Sequence, residues 1–370
     1  MSKQVVFDRW MKSSNVFAPS CAPEAHPPRN PPAVGSEDAI RYHLHVRAVP
    51  ARWPERTLVL TRKLFGAVAA LCLSVLPLLA AAPVVAADKP LTVIFQKQKE
   101  PEALKASAER LGTLLGEALG REVRVVVPLD YSASVQALIA GQADVAYVSA
   151  LPFLLARRDG GAKLLLVEQR ADARGVARTE YDSVLVVRQD SKLQDWADFA
   201  AQARTLKMAF TSPTSTSGYV FPRKRLVEEG LLPRAADPKT LFAEVRFGGS
   251  YTQALNEVLA GRADVAAVSD YTVEGPAADV YLPAAERAKL RVLARTSGVP
   301  THLVAVRKGL DPALEAKLAE TLLALSAKEP QLFRDVYGAT GFVRADEDAH
   351  VAAAVKAIEA SGLPIEGLAR

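Results

Sequence analysis

An internal repeat restricts the fold of this 370-residue chain more than any other feature. Residues 139–150 read IAGQADVAYVSA and residues 259–270 read LAGRADVAAVSD, eight identities in twelve positions, 120 residues apart. Each copy makes local physical sense. A helix end meets Gly141 or Gly261, which can take the left-handed conformation that stops a helix. Asp144 or Asp264 then sits in the turn before a buried strand, and Ser149 or Ser269 ends that strand at its carboxyl edge. Two helix–turn–strand units of this kind imply two similar α/β domains with equivalent strand ends. Ligands of open α/β sheets bind beyond the carboxyl ends of the strands, so two such domains facing each other enclose a cleft.

The rest of the chain supports this arrangement, because short β-branched runs alternate with helical stretches from Leu91 onward. Strands are expected at 91–95, 123–127, 145–148, 164–167, 184–187, 208–210, 244–247, 265–268, 290–294 and 303–306. Helices are expected at 102–119, 134–140, 195–203, 217–229 and 252–260, then at 312–327, 330–337 and 347–361. The last three follow the final expected strand and read as packing or closing helices.

Residues 1–57 show no sustained period. Arg62 and Lys63 then precede an apolar run at 64–82 that leads to Val85-Ala86-Ala87, the pattern of a secretory signal peptide cleaved after Ala87. Residues 1–61 therefore read as a non-native or disordered extension, 62–87 as the signal peptide, and Asp88 as the start of a periplasmic protein. The net charge of +5 belongs to this leader, which holds 10 Lys+Arg against 5 Asp+Glu, whereas the remainder is balanced at 36 of each. That balance removes the electrostatic case for a nucleic-acid partner. Both cysteines, Cys21 and Cys72, also fall in the leader. The exported part thus has no Cys nucleophile, thiolate metal site or internal disulfide.

The expected strand ending at Phe210 runs into Thr211-Ser212-Pro213-Thr214-Ser215-Thr216-Ser217-Gly218 and then into a helix. A hydroxyl-rich turn opening a helix gathers free N–H groups and hydroxyls at the positive end of the helix dipole, which suits an oxyanion. One hydroxyl would suffice as a cap, and this turn has several. It lacks the Lys of a nucleoside triphosphate loop and the glycine spacing of a dinucleotide site. Tyr131, Tyr181 and Tyr251 border the same strand ends, and a phenol can donate to an anion. Catalytic equipment is sparse: the exported part has two histidines, His302 and His350, with no carboxylate cluster at metal spacing and no nucleophile motif. No cofactor is implied.

These residues carry a resemblance to the phosphate/phosphite/phosphonate-binding family of periplasmic solute-binding proteins of ABC transporters, over almost all of residues 90–345. The matching stretches are Tyr131-Ser132, residues 181–188 (YDSVLVVR), Ser215-Thr216-Ser217-Gly218-Tyr219, Phe247-Gly248-Gly249-Ser250 and Val299-Pro300 leading to Val306-Arg307-Lys308. The resemblance implies a bilobal, type II periplasmic-binding-protein-like fold of two similar α/β domains. It implies no enzymatic activity, a small anionic ligand held by Ser215, Thr216 and Ser217, and tyrosines contributing from the facing lobe. Where the family typically has a His after the Gly-Ser of the second lobe this chain has Tyr251, and where an acid often follows the Pro near the return strand it has His302. An ammonium-bearing ligand would then rely on Asp270. The expected lobes are 88–187 with 305–370 returning to it, and 188–304, with crossings near 188–191 and Leu303. The expected partner of this monomer is a membrane permease, or alternatively a membrane sensor; a sulfonate is the alternative ligand.

Overall fold

The computed structural model describes residues 89–99, 101–128, 130–366 and 368. The leader, its cleavage site and both cysteines lie outside the described residues.

The strands are β1 (Leu91–Phe95), β2 (Val123–Val126), β3 (Val145–Val148), β4 (Lys163–Ala171), β5 (Ala177–Arg178), β6 (Glu180–Arg188), β7 (Lys207–Phe210), β8 (Glu244–Phe247), β9 (Val265–Ser269), β10 (Leu290–Pro300), β11 (Leu303–Val306) and β12 (Gly341–Val343). They form two sheets, one ordered β12-β4-β11-β3-β1-β2 with β5 paired to β4, the other β10-β6-β9-β7-β8. The sheets share a plan. In each, three parallel strands (β2-β1-β3 or β8-β7-β9) are followed by one antiparallel strand, β11 or β6, and then by β4 or β10. The antiparallel strand of each half is the one that has just arrived from the other half. β3, β9 and β11 are buried along their whole length, as strands covered on both faces must be, and this is why they read as unbroken apolar runs.

The repeat is realised residue for residue. Gly141 and Gly261 take φ of 66° and 69°. Asp144 accepts the Thr92 N–H at 2.8 Å, and Asp264 accepts the Lys207 N–H at 2.7 Å, so each carboxylate pins the start of the neighbouring parallel strand. One apolar cluster runs from Ile94, Val148 and Leu151 through Val184 to Phe210, Leu255 and Val268. A second, with Phe95, Leu111, Leu166 and Phe333, covers the other side of the first sheet.

Three expectations change. The first crossing does not lie at 188–191, because β6 is bonded to β9 and β10; the chain passes between sheets near Thr179, just before β6. An apolar strand fits either sheet equally well, so the run 184–187 could not reveal its side. The chain passes back between β10 and β11, at Thr301–His302. The C-terminal block also contains an unexpected strand, β12, on β4. Its last helix, Glu347–Ser361, packs mainly on the helix Phe221–Glu228 and on β10 rather than rejoining the first sheet. That helix straps both halves: Glu347 and Asp348 pair with Arg157, Glu347 accepts from Leu164 N, and Ser361 O accepts from Ala235 N.

The crossings are tied together. Thr301 N donates to Thr179 O at 3.0 Å, and Thr301 Oγ1 lies 2.7 Å from Glu168 O and 3.0 Å from Thr179 O. His350 Nε2 of the last helix is 3.0 Å from Thr301 O.

The pinning carboxylates predict unequal costs on truncation. Asp144 also holds Arg307 at 2.7 Å, so Asp144→Ala should lose about 2–3 kcal/mol and Asp264→Ala about 1 kcal/mol of stability, since charge-assisted bonds exceed neutral ones. Urea denaturation of both variants checks this order.

Candidate functional site

The hydroxyl-rich segment after β7 forms a widened turn at Thr216–Val220 with Ser215 as its cap, whose Oγ accepts the Gly218 N–H at 3.0 Å. Pro222 explains the widening. It has no N–H for the Gly218 carbonyl, and its ring would crowd that carbonyl in a normal helix. The released Gly218 carbonyl accepts the Thr211 N–H instead, at 3.2 Å, while Val220 N reaches back to Ser215 O at 3.1 Å. The turn is thereby folded onto the end of β7 with its hydroxyls in the interior.

Ser217 is the hub of this interior. Its Oγ lies 2.8 Å from Ser269 Oγ, 3.1 Å from the Tyr251 hydroxyl and 3.2 Å from the Tyr181 hydroxyl, while Ser183 Oγ donates to its carbonyl at 2.7 Å. Ser215, Thr216, Ser217, Tyr251 and Ser269 are all 0% exposed. Tyr251 is the first residue of the helix Tyr251–Leu259, and Tyr131 holds the same place in Tyr131–Ile139, 120 residues earlier. The two phenols that the sequence singled out separately are thus repeat partners, one from each half. Tyr131 lies beside Tyr251 and Gln96. Its buried hydroxyl faces the Gln96 amide and the Tyr251 phenol. Burial and then the neighbouring Tyr251 phenol hold Tyr131 and Tyr181 well above the usual phenol pKa, so both remain neutral donors.

The first half closes over this cluster. Thr216 Oγ1 accepts the Leu151 N–H at 2.9 Å, serving the open N-terminus of the helix Ala150–Gly160, whose own cap Ser149 makes no capping bond with its side chain. Ser149 instead gives its N–H and hydroxyl to Gln96 Oε1 at 3.0 and 3.2 Å. Tyr251 N donates to Gln98 O at 3.2 Å, and the Arg170 guanidinium lies 3.7 Å from the centre of the Tyr271 ring.

His302 stands one layer behind the cluster. Its Nε2 is 3.3 Å from Gln96 Nε2, its ring stacks on Tyr147, and its Nδ1 is 3.7 Å from Glu168 Oε2. Burial, then Arg170, then His350 push its pKa well below the usual value, so the imidazole is neutral. Glu168 is itself buried and paired with Arg170 at 2.7 Å. Asp270 is not hydrogen-bonded to these hydroxyls. It lines a cleft of about 450 Å³ with Arg170, Tyr181, Asp182, Tyr271 and Arg295, accepts the Tyr271 N–H at 2.8 Å and lies 3.9 Å from Arg295. Burial and Asp182 raise its pKa to about 6.

Ser217, Tyr181, Tyr251, Ser215 and Thr216 are therefore brought together, all from the second half, so that Tyr181 and Tyr251 do not come from the facing lobe as expected; Tyr131 of the first half lies beside them, His302 is reached through Gln96 and through its ring stacked alongside Tyr181, and Asp270 is not hydrogen-bonded to the cluster. Sequence reasoning left out Gln96, Ser183 and the ligand-facing possibilities of Ser149 and Ser269. For the last two a signal existed, since both end the repeat at the carboxyl edge of a strand. Among the described residues there is no group of His, Cys, Asp and Glu arranged to hold a metal ion, and no helix long and apolar enough to cross a membrane.

Two similar sheets meeting at a sealed hydroxyl cluster define the bilobal periplasmic-binding-protein fold. The profile of the family described as "ABC transporter, phosphonate, periplasmic substrate-binding protein" matches residues 94–350, and the chain belongs to that family. A curated relative, the phosphate-import protein PhnD of Mycolicibacterium smegmatis, is 30% identical over 155 residues, which cover 41% of this chain and 46% of the relative, less than half its length. Among solved structures, PhnD1 from Prochlorococcus marinus in complex with methylphosphonate is similar at a TM-score of 0.63 and 19% identity, covering 73% of this chain and 97% of that one. A binding protein component of an ABC phosphonate transporter from Pseudomonas aeruginosa gives 0.61 and 20%, covering 75% and 97%. At these identities the solved structures speak for the fold.

Two outcomes test the site's construction. A Cβ on Gly218 would fall inside van der Waals distance of Thr211 and Ser215, so Gly218→Ala should cost about 2–3 kcal/mol of stability through overpacking, read by thermal melting. Because the folded pKa of Asp270 is raised, the native state binds its proton more tightly than the unfolded chain, and the associated stability is present at low pH and lost as pH rises through about 6. Asp270→Asn should accordingly raise the melting temperature at pH 8 and leave it unchanged near pH 4.

Proposed function

We propose that this protein is the periplasmic solute-binding component of an ABC importer and that its ligand is a small tetrahedral oxyanion of the phosphate, phosphite or phosphonate type. The observation that carries the reading is the Ser217 hub, where hydroxyls of the helix-opening turn, of β9 and of the tyrosines converge in a fully buried place between the two sheets. Burying an oxyanion there means replacing its hydration shell, and each charge-assisted hydrogen bond contributes about 1.5–3 kcal/mol. A handful of donors is enough. The curated phosphate importer and the methylphosphonate complex among the similar proteins favour the same ligand class.

In this reading the two halves act as jaws that open and close about the paired crossings at Thr179 and Thr301–His302, a hinge of two short segments. A signal peptide ending at Ala87 delivers the chain to the periplasm, where it works as a monomer and passes its cargo to a membrane permease. The domains then run from Asp88 to Thr179 with the return from Leu303, and from Glu180 to Pro300.

Titration calorimetry of the protein with phosphate, phosphite and methylphosphonate tests the proposal. At least one should bind, and replacing Ser215 and Ser217 together by Ala should weaken it by about 10²–10⁴-fold, the equivalent of two lost charge-assisted bonds, with the fold retained by circular dichroism and the melting temperature lowered by the lost cap and hub bonds. An unchanged affinity in that double variant would refute the placement of the ligand.

A further inference from the structure

Away from the hydroxyl cluster, the two halves also meet along a rim. The helix Pro330–Tyr337 lies on the first sheet, with Phe333 and Tyr337 in the second apolar cluster. Residues 276–281 of the second half face it. Arg334 Nη2 donates across the seam to Asp279 Oδ1 and to Pro276 O, each at 2.6 Å. This ion pair is at the surface, since the two side chains are 32% and 55% exposed. Beneath it, Gln98 Oε1 accepts the hydroxyls of Tyr281 and Tyr271 at 3.2 and 3.4 Å.

Each side of this rim is tied to the elements that frame the hub. In the first half, Lys99 Nζ donates to Asp335 O, which joins the segment after β1 to the helix that carries Arg334. In the second, Thr252 Oγ1 donates to Tyr281 O at 3.1 Å, which joins residues 276–281 to the helix that begins at Tyr251. Among the described residues, however, neither Arg334 nor Asp279 is hydrogen-bonded to Ser215, Thr216, Ser217, Ser269 or the tyrosines around them.

We propose that Arg334 and Asp279 form a closing latch, a positioning pair that sets how tightly the Ser217 site holds a ligand without touching it. This rests on the reading that the ligand binds at that hub between halves that open and close. The strap Glu347–Ser361 belongs to the apolar cluster on the other face of the first sheet, so it secures one side of the seam and leaves the Arg334 side to part. A bond made only while the halves are together stabilises the closed arrangement alone. A site completed by closure binds with an apparent affinity scaled by its closed fraction, so losing the latch weakens every ligand by one common factor.

Titration calorimetry of the whole protein with phosphate and with methylphosphonate tests this. Asp279→Ala should weaken both by about two- to fivefold, as befits an exposed ion pair, and Arg334→Ala, which also loses the Pro276 carbonyl, by about three- to tenfold. The double variant should be no weaker than Arg334→Ala alone, because one interaction is removed in both. The ratio of the Asp279→Ala Kd to that of the unaltered protein should shrink as NaCl is raised to about 1 M, since screening removes what the pair contributes. If the unaltered protein binds and both single variants bind equally well, the latch is refuted and the proposed function stands. If either variant weakens one ligand and spares the other, the residue acts on the ligand and not on closure, and the inference fails. If phosphate, phosphite and methylphosphonate all fail to bind the unaltered protein, the proposed function falls and takes this inference with it.

Discussion

Burying a set of neutral hydroxyls between two sheets is the constraint to which the rest of this molecule answers. A buried polar group without a partner is costly, and here the solution is to share: Ser217 Oγ serves Ser269, Tyr251 and Tyr181 at once. The same economy crosses between the halves. Thr216 acts as the missing cap of a helix that belongs to the opposite sheet, so the approach of the two halves and the satisfaction of a helix end are one event. Pro222 belongs to this logic as well, because the carbonyl it cannot engage is what anchors the turn to Thr211.

Behind the hydroxyls lies a second polar layer. Glu168 and Arg170 form a buried ion pair, and a pair of this kind is worth little unless its remaining bonding capacity is filled. Here that capacity is largely filled: the guanidinium donates to the Tyr337 and Gly338 carbonyls and to the Tyr281 hydroxyl and lies over Tyr271, while its Nε has no hydrogen-bond partner. The carboxylate receives the backbone N–H of His302, at the point where the chain returns between sheets. One ion pair therefore reaches the return crossing on one side and the aromatic rings of the second half on the other, which joins that crossing to the seam between the sheets through named bonds.

How legible this was in the sequence depends on which physical signal each element carries. The repeat gave the two-domain plan, and Asp144 and Asp264 do the same job in both sheets because a turn of fixed length before a parallel strand leaves few alternatives. The Ser-Thr-Ser turn was legible from its excess of hydroxyls. The helix Ala150–Gly160 was not, because its residues 150–156 are all buried and a helix with no solvent face shows no period. Asp270 left no such signal, because β9 ends at Ser269 and Asp270 opens the 3-10 turn Asp270–Thr272, where its carboxylate accepts the Tyr271 N–H. The side of β6 and the final strap of Glu347–Ser361 depend on long-range pairing that no local pattern encodes.

The two sheets also differ in how the chain supplies them. The second is built from one unbroken stretch, β6 to β10, whereas β11, lodged between β3 and β4 in the first, arrives only after the whole of the second has been made. During vectorial synthesis the later half can thus reach its full strand complement while the earlier half still lacks a central member. The N-terminal half must wait with a gap in its middle, and an incomplete sheet of that kind is the natural target for a holding chaperone.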